Sequence, residues 1–137
     1  MKKLLSFLVF AFMLVACGNY VPKAGDAPEV VAKKCLDMYS TFEINQMKQY
    51  AKCIQENKRQ EFLTYIDNLA DNIKSKKEEF MEKTGGIKSL ETKLSVLFED
   101  TAEVKVLVTF KNGESSDNYE DLIKINDTWY FKRPLKF

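Results

Sequence analysis

The chain contains no histidine among its 137 residues. That absence removes the commonest general base and the commonest metal ligand together. Ser–His and Cys–His nucleophile pairs and His-containing zinc sites are excluded with it. A Cys-x-x-C pair is also missing: the three cysteines stand at 17, 35 and 53, so thiol redox catalysis has no motif to rest on. An excess of charge of either sign is lacking too. Formal net charge is +1, and setting aside Lys2 and Lys3, which belong to the leader described below, leaves 19 basic residues against 20 acidic ones. A nucleic-acid binder would carry clustered Lys and Arg, so no nucleic-acid partner is expected. No metal or cofactor is expected either.

One sequence resembling a phosphate loop fails on inspection. In "TGGIKS" (84–89), Lys88-Ser89 follow glycines, but G-x-x-x-x-G-K-[ST] needs glycine where Glu82 and Ile87 stand. The order there is helix then strand, the reverse of a phosphate loop. The stretch reads as a helix end and turn.

What is present begins with a leader. Lys2 and Lys3 precede an apolar run, Leu4–Val15, broken only by Ser6. As a helix it would reach about 18 Å, short of the roughly 30 Å hydrocarbon core of a bilayer. This is the length of a signal-peptide h-region, and the small residue Ala16 follows it. Leu14-Val15-Ala16-Cys17 resembles the lipobox of bacterial lipoproteins. By that resemblance residues 1–16 are a signal peptide, and Cys17 is the first mature residue and carries a diacylglycerol. Two or three acyl chains suffice for stable anchoring. Gly18, rather than Asp, follows the cysteine, which by the same resemblance favours an outer-membrane location facing the periplasm in a Gram-negative cell. Residues 17–27 then read as a lipidated tether, because "GNYVPKAGDA" has no periodicity.

From residue 28 to 137 the pattern is that of one domain. Pro28 opens a helix, with Asp26 as candidate cap and Glu29 in the first turn. Val31, Cys35, Met38, Tyr39 and Phe42 form its apolar face. "EINQMKQYAKCI" predicts a short second helix with Met47, Tyr50, Ala51 and Ile54 inward. A long third helix is predicted over 58–83, striped by Phe62, Tyr65, Ile66, Leu69 and Ile73, with Lys74 and Glu78 as an i,i+4 pair. Gly85-Gly86 ends the helices and the period changes to two. Leu90, Thr92, Leu94, Val96 and Phe98 alternate with polar neighbours, as do Ala102, Val104, Val106, Val108 and Phe110. Asn112-Gly113 and Asn126-Asp127 mark hairpin turns around strands at about 117–125 and 128–132. Helices followed by a four-stranded antiparallel meander make an α+β layout, with the helices on one face of the sheet.

From "APEVVAKKCLDMYSTFEINQMKQYAKC" through "DLIKINDTWYFKRP", the chain resembles small bacterial lipoproteins with a lumazine-binding-like domain of unknown function (4878). These belong to the nuclear transport factor 2-like, or cystatin-like, superfamily. The resemblance rests on the opening helix, the Lys/Tyr/Ala-rich second helix and the closing "NDTWYF" hairpin. It implies a curved sheet wrapped around helices and a cone-shaped cavity, without implying one activity.

With Cys17 assigned to lipid, Cys35 and Cys53 remain as an even pair, separated by residues 36–52. A disulfide between the first two helices is expected in an oxidising envelope. Two buried free thiols are the alternative. Superfamily enzymes that isomerise or dehydrate use Asp or His bases with Tyr donors inside the cone. The nearest analogue here is Asp121, in phase with Tyr119, with Tyr39 and Trp129 completing a possible pocket; the acidic run around it reads equally as a solvated edge. Trp129-Tyr130-Phe131 cannot all face one side of a strand, so Tyr130 is either covered by another element or exposed to a partner. Lys132, Arg133 and Lys136 make a small basic C-terminus.

The expected function is a non-catalytic protein-interaction module, anchored to the membrane by its N-terminal lipid and meeting an envelope protein. A small hydrophobic ligand in the cone is the alternative, and an isomerase or dehydratase based on Asp121 a further one.

Overall fold

The computed structural model describes residues 20–135. The leader and Cys17 lie outside the described residues. Tyr20 is buried, its hydroxyl donates to Asp26 Oδ2 at 2.7 Å, and the Lys34 ammonium lies 4.9 Å from its ring centroid. Pro22 is buried as well, and the Gly25 amide donates to the Asp127 carbonyl. Residues 20–27, expected as a tether, therefore lie on the domain.

Helix α1 spans Pro28–Tyr39, with Pro at its start and Glu29 in its first turn. Its N-cap is Ala27, not Asp26; the Asp26 carboxylate is engaged by Tyr20 instead. Val31, Cys35, Met38 and Tyr39 are buried as the apolar stripe requires. Phe42 lies beyond the helix end at a φ of 55°. Helix α2 (Ile44–Tyr50) runs into a 3-10 turn, Ala51–Cys53. The Cys35–Cys53 disulfide ties that turn to α1 across a Cα–Cα distance of 6.2 Å.

The predicted long helix is two helices, α3 (Glu56–Leu69) and α4 (Ile73–Thr84), separated by a 3-10 turn at Ala70–Asn72. Phe62, Ile66 and Leu69 of α3 enter the core, whereas no residue of α4 is fully buried. The i,i+4 ion pair on α4 is Glu79–Lys83 rather than Lys74–Glu78. Gly85 ends α4 in the left-handed region at φ 77°, its amide returning to the Met81 carbonyl at 2.8 Å. Only glycine reaches that conformation without a Cβ penalty.

Four antiparallel strands follow in the order β1 (Ile87–Leu97), β2 (Thr101–Phe110), β3 (Ser115–Ile125) and β4 (Thr128–Phe131). The β3–β4 turn places Asn126 and Asp127 both at positive φ, 51° and 64°, the conformation that two-residue hairpins favour. Two register shifts in β1, at Ile87/Ser89 and Leu94/Val96, bend the strand and help curl the sheet. The second also breaks the expected alternation. Val96 comes to lie opposite Glu103, and Val96, Leu97 and Phe98 are all exposed, Phe98 by 68%.

The curled sheet closes on the helices, which pack on its concave face. Ile54 bridges Phe131 in parallel, and the Gln55 amide donates to the Phe131 carbonyl at 3.0 Å. At the centre, Tyr50 meets Phe62 and Phe131 with ring centroids 5.2 and 5.3 Å apart. Such aromatic pairs contribute about 0.5–1.5 kcal/mol each beyond their area burial. This is the expected α+β half-barrel. Among the described residues no helix is long and apolar enough to cross a membrane.

Candidate functional site

The end of α1, the outer half of α4 and the concave face of the sheet do not fill the space between them. They leave an open cleft of about 430 Å³. Its apolar walls come from Leu36 on α1, Phe42 after it, Phe80 on α4, and Leu90, Val106, Val108 and Phe110 on the sheet. Phe80 joins two of these walls, with ring centroids 5.0 Å from Phe42 and 5.8 Å from Phe110. Lys76, Glu79 and Lys83 edge the cleft from α4.

The polar component is a stripe on β3. Ser116, Asn118 and Glu120 are successive residues of one strand face, opposite Val108, Val106 and Val104 of β2. Since Ala102, Val104 and Val106 are core residues, the even-numbered face of β3 is the concave one. Glu120 is thus a carboxyl among hydrocarbon. Burial, and then the neighbouring Asp121 charge, push it up from 4.5 to about 7, with Arg133 opposing. Two phenols on the helices feel the same carboxylate. Tyr39 is raised by burial and, in smaller part, by Tyr65 and Glu120; Tyr50 is raised by burial and then by Glu120.

Of the residues singled out by sequence, Tyr39 lines this cleft. Asp121 and Tyr119 do not. Their side chains lie on the opposite face of β3, where Tyr119 is 56% exposed and Asp121 pairs with Arg133. Asp121 edges a separate depression with Val96, Phe98 and Glu103 instead. Trp129 belongs to the core, beneath the Lys124 ammonium at 5.5 Å, and is no part of the cleft. Tyr130 points away from Trp129 and Phe131 as expected, and the Arg59 guanidinium covers it at 5.7 Å. Cys35 and Cys53 form their bridge. Glu120 was missed because the odd residues of β3 (Tyr119, Ile123, Ile125) look more like an inward face than the even ones. Only the register against β2 fixes which face of β3 is inward.

Among the described residues, no three or more His, Cys, Asp or Glu side chains group to hold a metal ion.

Comparison with known proteins bears on the fold. Residues 17–132 match the family described as a domain of unknown function (DUF4878). A crystal structure from Campylobacter jejuni, described as that of an NTF2-like transpeptidase, superposes with a TM-score of 0.59 at 21% identity. That alignment covers 80% of this chain and 100% of the other. At that identity the likeness carries the fold alone. No curated protein matches the chain.

Proposed function

The chain belongs to the DUF4878 family and has the nuclear transport factor 2-like fold; from that footing we propose that it is a cell-envelope lipoprotein, anchored through Cys17, whose domain is a non-catalytic binding module for a small amphipathic ligand. The open cleft carries this reading. A cone packed solid with Phe, Leu and Val would leave no room, whereas this one keeps about 430 Å³ between an apolar wall and the Ser116–Asn118–Glu120 stripe. Ligand sites are commonly apolar pockets of about 300–1,000 Å³ with a few converging polar groups.

Glu120 sets the polar preference. As a carboxylate it would pair with an ammonium; as an acid it would exchange hydrogen bonds with a hydroxyl. Above about pH 7, where Glu120 is ionised, a ligand carboxylate against it would meet like charge, so the comparison of ligands is made at about pH 8. The test compares a C12 amine, alcohol and carboxylate by thermal shift. The amine and alcohol should raise Tm more than the carboxylate, and Glu120→Gln should erase the amine's advantage. Val108→Trp, which fills the cleft, should abolish all three effects. No shift with any of them, or shifts indifferent to both substitutions, would overturn the reading.

A second reading rests on the same carboxyl. A side chain raised to about 7 beside buried phenols is suited to moving a proton, so an isomerase-type activity, if present, would belong to Glu120 and not to Asp121. A protein partner remains the natural occupant for the outer sheet face, where Tyr119 stands exposed.

A further inference from the structure

The end of the sheet that holds the β1–β2 and β3–β4 turns carries a group of exposed apolar side chains. Leu97 and Phe98 form the tip of the β1–β2 hairpin and are 57% and 68% exposed; Ile125, at the end of β3, is 39% exposed. The Lys124 amide donates to the Asp100 carbonyl at 2.8 Å, which fastens the hairpin tip beside Ile125. The N-terminal segment passes this same end, where the Gly25 amide meets the Asp127 carbonyl of the β3–β4 turn. Val21, on that segment, is also exposed.

The chain preceding this segment has little reach. Tyr20 is already buried, and three Cα–Cα steps separate it from Cys17, at most about 11 Å of chain. A lipid on Cys17 would therefore hold Tyr20 close to the membrane surface. The cleft lies towards the other end of the sheet, with Phe110 and Ser116 among its lining. Ten residues of β2 separate the two ends, about 30 Å at the rise of a strand.

We propose that the sheet end formed by Leu97, Phe98 and Ile125 rests on the lipid bilayer, so that the cleft is held at the membrane-distal end of the domain. The proposal relies on the anchoring of Cys17 stated above. Glu99, Asp100 and Asp127 at the two turns stand beside Lys124 and, on the N-terminal segment, Lys23, so this end carries charges of both signs. The contact then depends on apolar side chains and the short leash, and salt should leave it unchanged. A cleft so placed takes its ligand from the aqueous compartment, not directly from the bilayer.

The test uses the full lipidated protein in vesicles of phosphatidylethanolamine and phosphatidylglycerol doped with a headgroup nitroxide. A fluorophore is attached without reductant to Leu97→Cys or, at the β2–β3 turn, to Glu114→Cys. The Leu97 probe should lose most of its emission at low and high salt, and the Glu114 probe should keep its own. Phe98→Ser should weaken quenching at position 97 without releasing the protein from vesicles. Vesicle-bound protein with equal quenching at both positions overturns the orientation while leaving the anchor standing. Mature protein without lipid on Cys17 overturns the anchor and the orientation together. A Cys17→Ser form that dimerises and shields the Leu97 probe without vesicles assigns the tip to a second copy, and also overturns the proposal.

Discussion

Glu120 and Asp121 are adjacent on β3 and serve opposite faces of the sheet: Glu120 enters the concave cleft, and Asp121 pairs with Arg133 on the outside. A strand alternates its side chains, so one residue of register separates a carboxyl in hydrocarbon from one in water. The chemistry anticipated for Asp121 is therefore available only to its neighbour.

The first consequence is a pH dependence. Folding raises the Glu120 carboxyl from 4.5 to about 7, so the folded state holds that proton more tightly. The associated stability is fully present below about pH 4.5 and is lost as pH rises through about 7. Because the side chain is partly exposed and screened, the loss is on the order of 1–2 kcal/mol rather than the full linkage value. Glu120→Gln should flatten this slope. Urea midpoints measured at about pH 5 and about pH 8 check it: an equal fall in both proteins would mean that Glu120 titrates normally.

Asp121 should behave in the opposite way. Its ion pair with Arg133 is exposed, with side-chain accessibilities of 45% and 68%. Pairs of this kind contribute about 0–1 kcal/mol. Asp121→Asn and Arg133→Ala should each leave the urea midpoint nearly unchanged and ligand-induced thermal shifts intact. A large loss of ligand response in Asp121→Asn would return the site to the outer face.

The disulfide should be worth far more. Cys35 and Cys53 are fully buried and 18 positions apart. In the chain-entropy model a loop of this size stabilises by about 3 kcal/mol. Replacing both cysteines with Ala should lower the unfolding free energy by roughly that amount, measured by urea titration against the oxidised protein. Adding reductant should destabilise the parent protein and leave the double variant unaffected.

These outcomes separate what was legible in the sequence from what was not. Helix α1 was readable because Val31, Cys35, Met38 and Tyr39 repeat at helical spacing and all four are buried. Strand β2 was readable because Ala102, Val104 and Val106 alternate without interruption. Strand β3 was not: Leu122 points inward, yet Tyr119, Ile123 and Ile125 on the other face are just as apolar, so the pattern has no unique phase. The bulge at Leu94/Val96 was hidden for a related reason. One extra residue turns Val96 outward, and nothing in "KLSVLF" announces it. The 3-10 turn at Ala70–Asn72 likewise carries no Pro or Gly to mark it.

The N-terminal segment was the other illegible part, because "GNYVPKAGDA" has the composition of a linker. Its anchorage centres on one aromatic side chain, with buried Pro22 and the Gly25–Asp127 hydrogen bond beside it. Tyr20 buries its ring against the core, donates to Asp26 and lies beneath Lys34. Loss of a buried aromatic side chain typically costs about 3–5 kcal/mol, and the edge position of Tyr20 places it at the lower end. Tyr20→Ala should therefore lower the unfolding free energy of the 20–135 domain by about 3 kcal/mol. Tyr20→Phe, which keeps the ring and removes only the hydroxyl bond to Asp26, should cost about 1 kcal/mol. Hydrogen exchange gives the local readout: the Gly25 amide, bonded to the Asp127 carbonyl, should lose protection in Tyr20→Ala while the amides of β2 keep theirs. If neither stability nor Gly25 protection changes, residues 20–27 are a linker after all, and the leash between Cys17 and the domain is correspondingly longer.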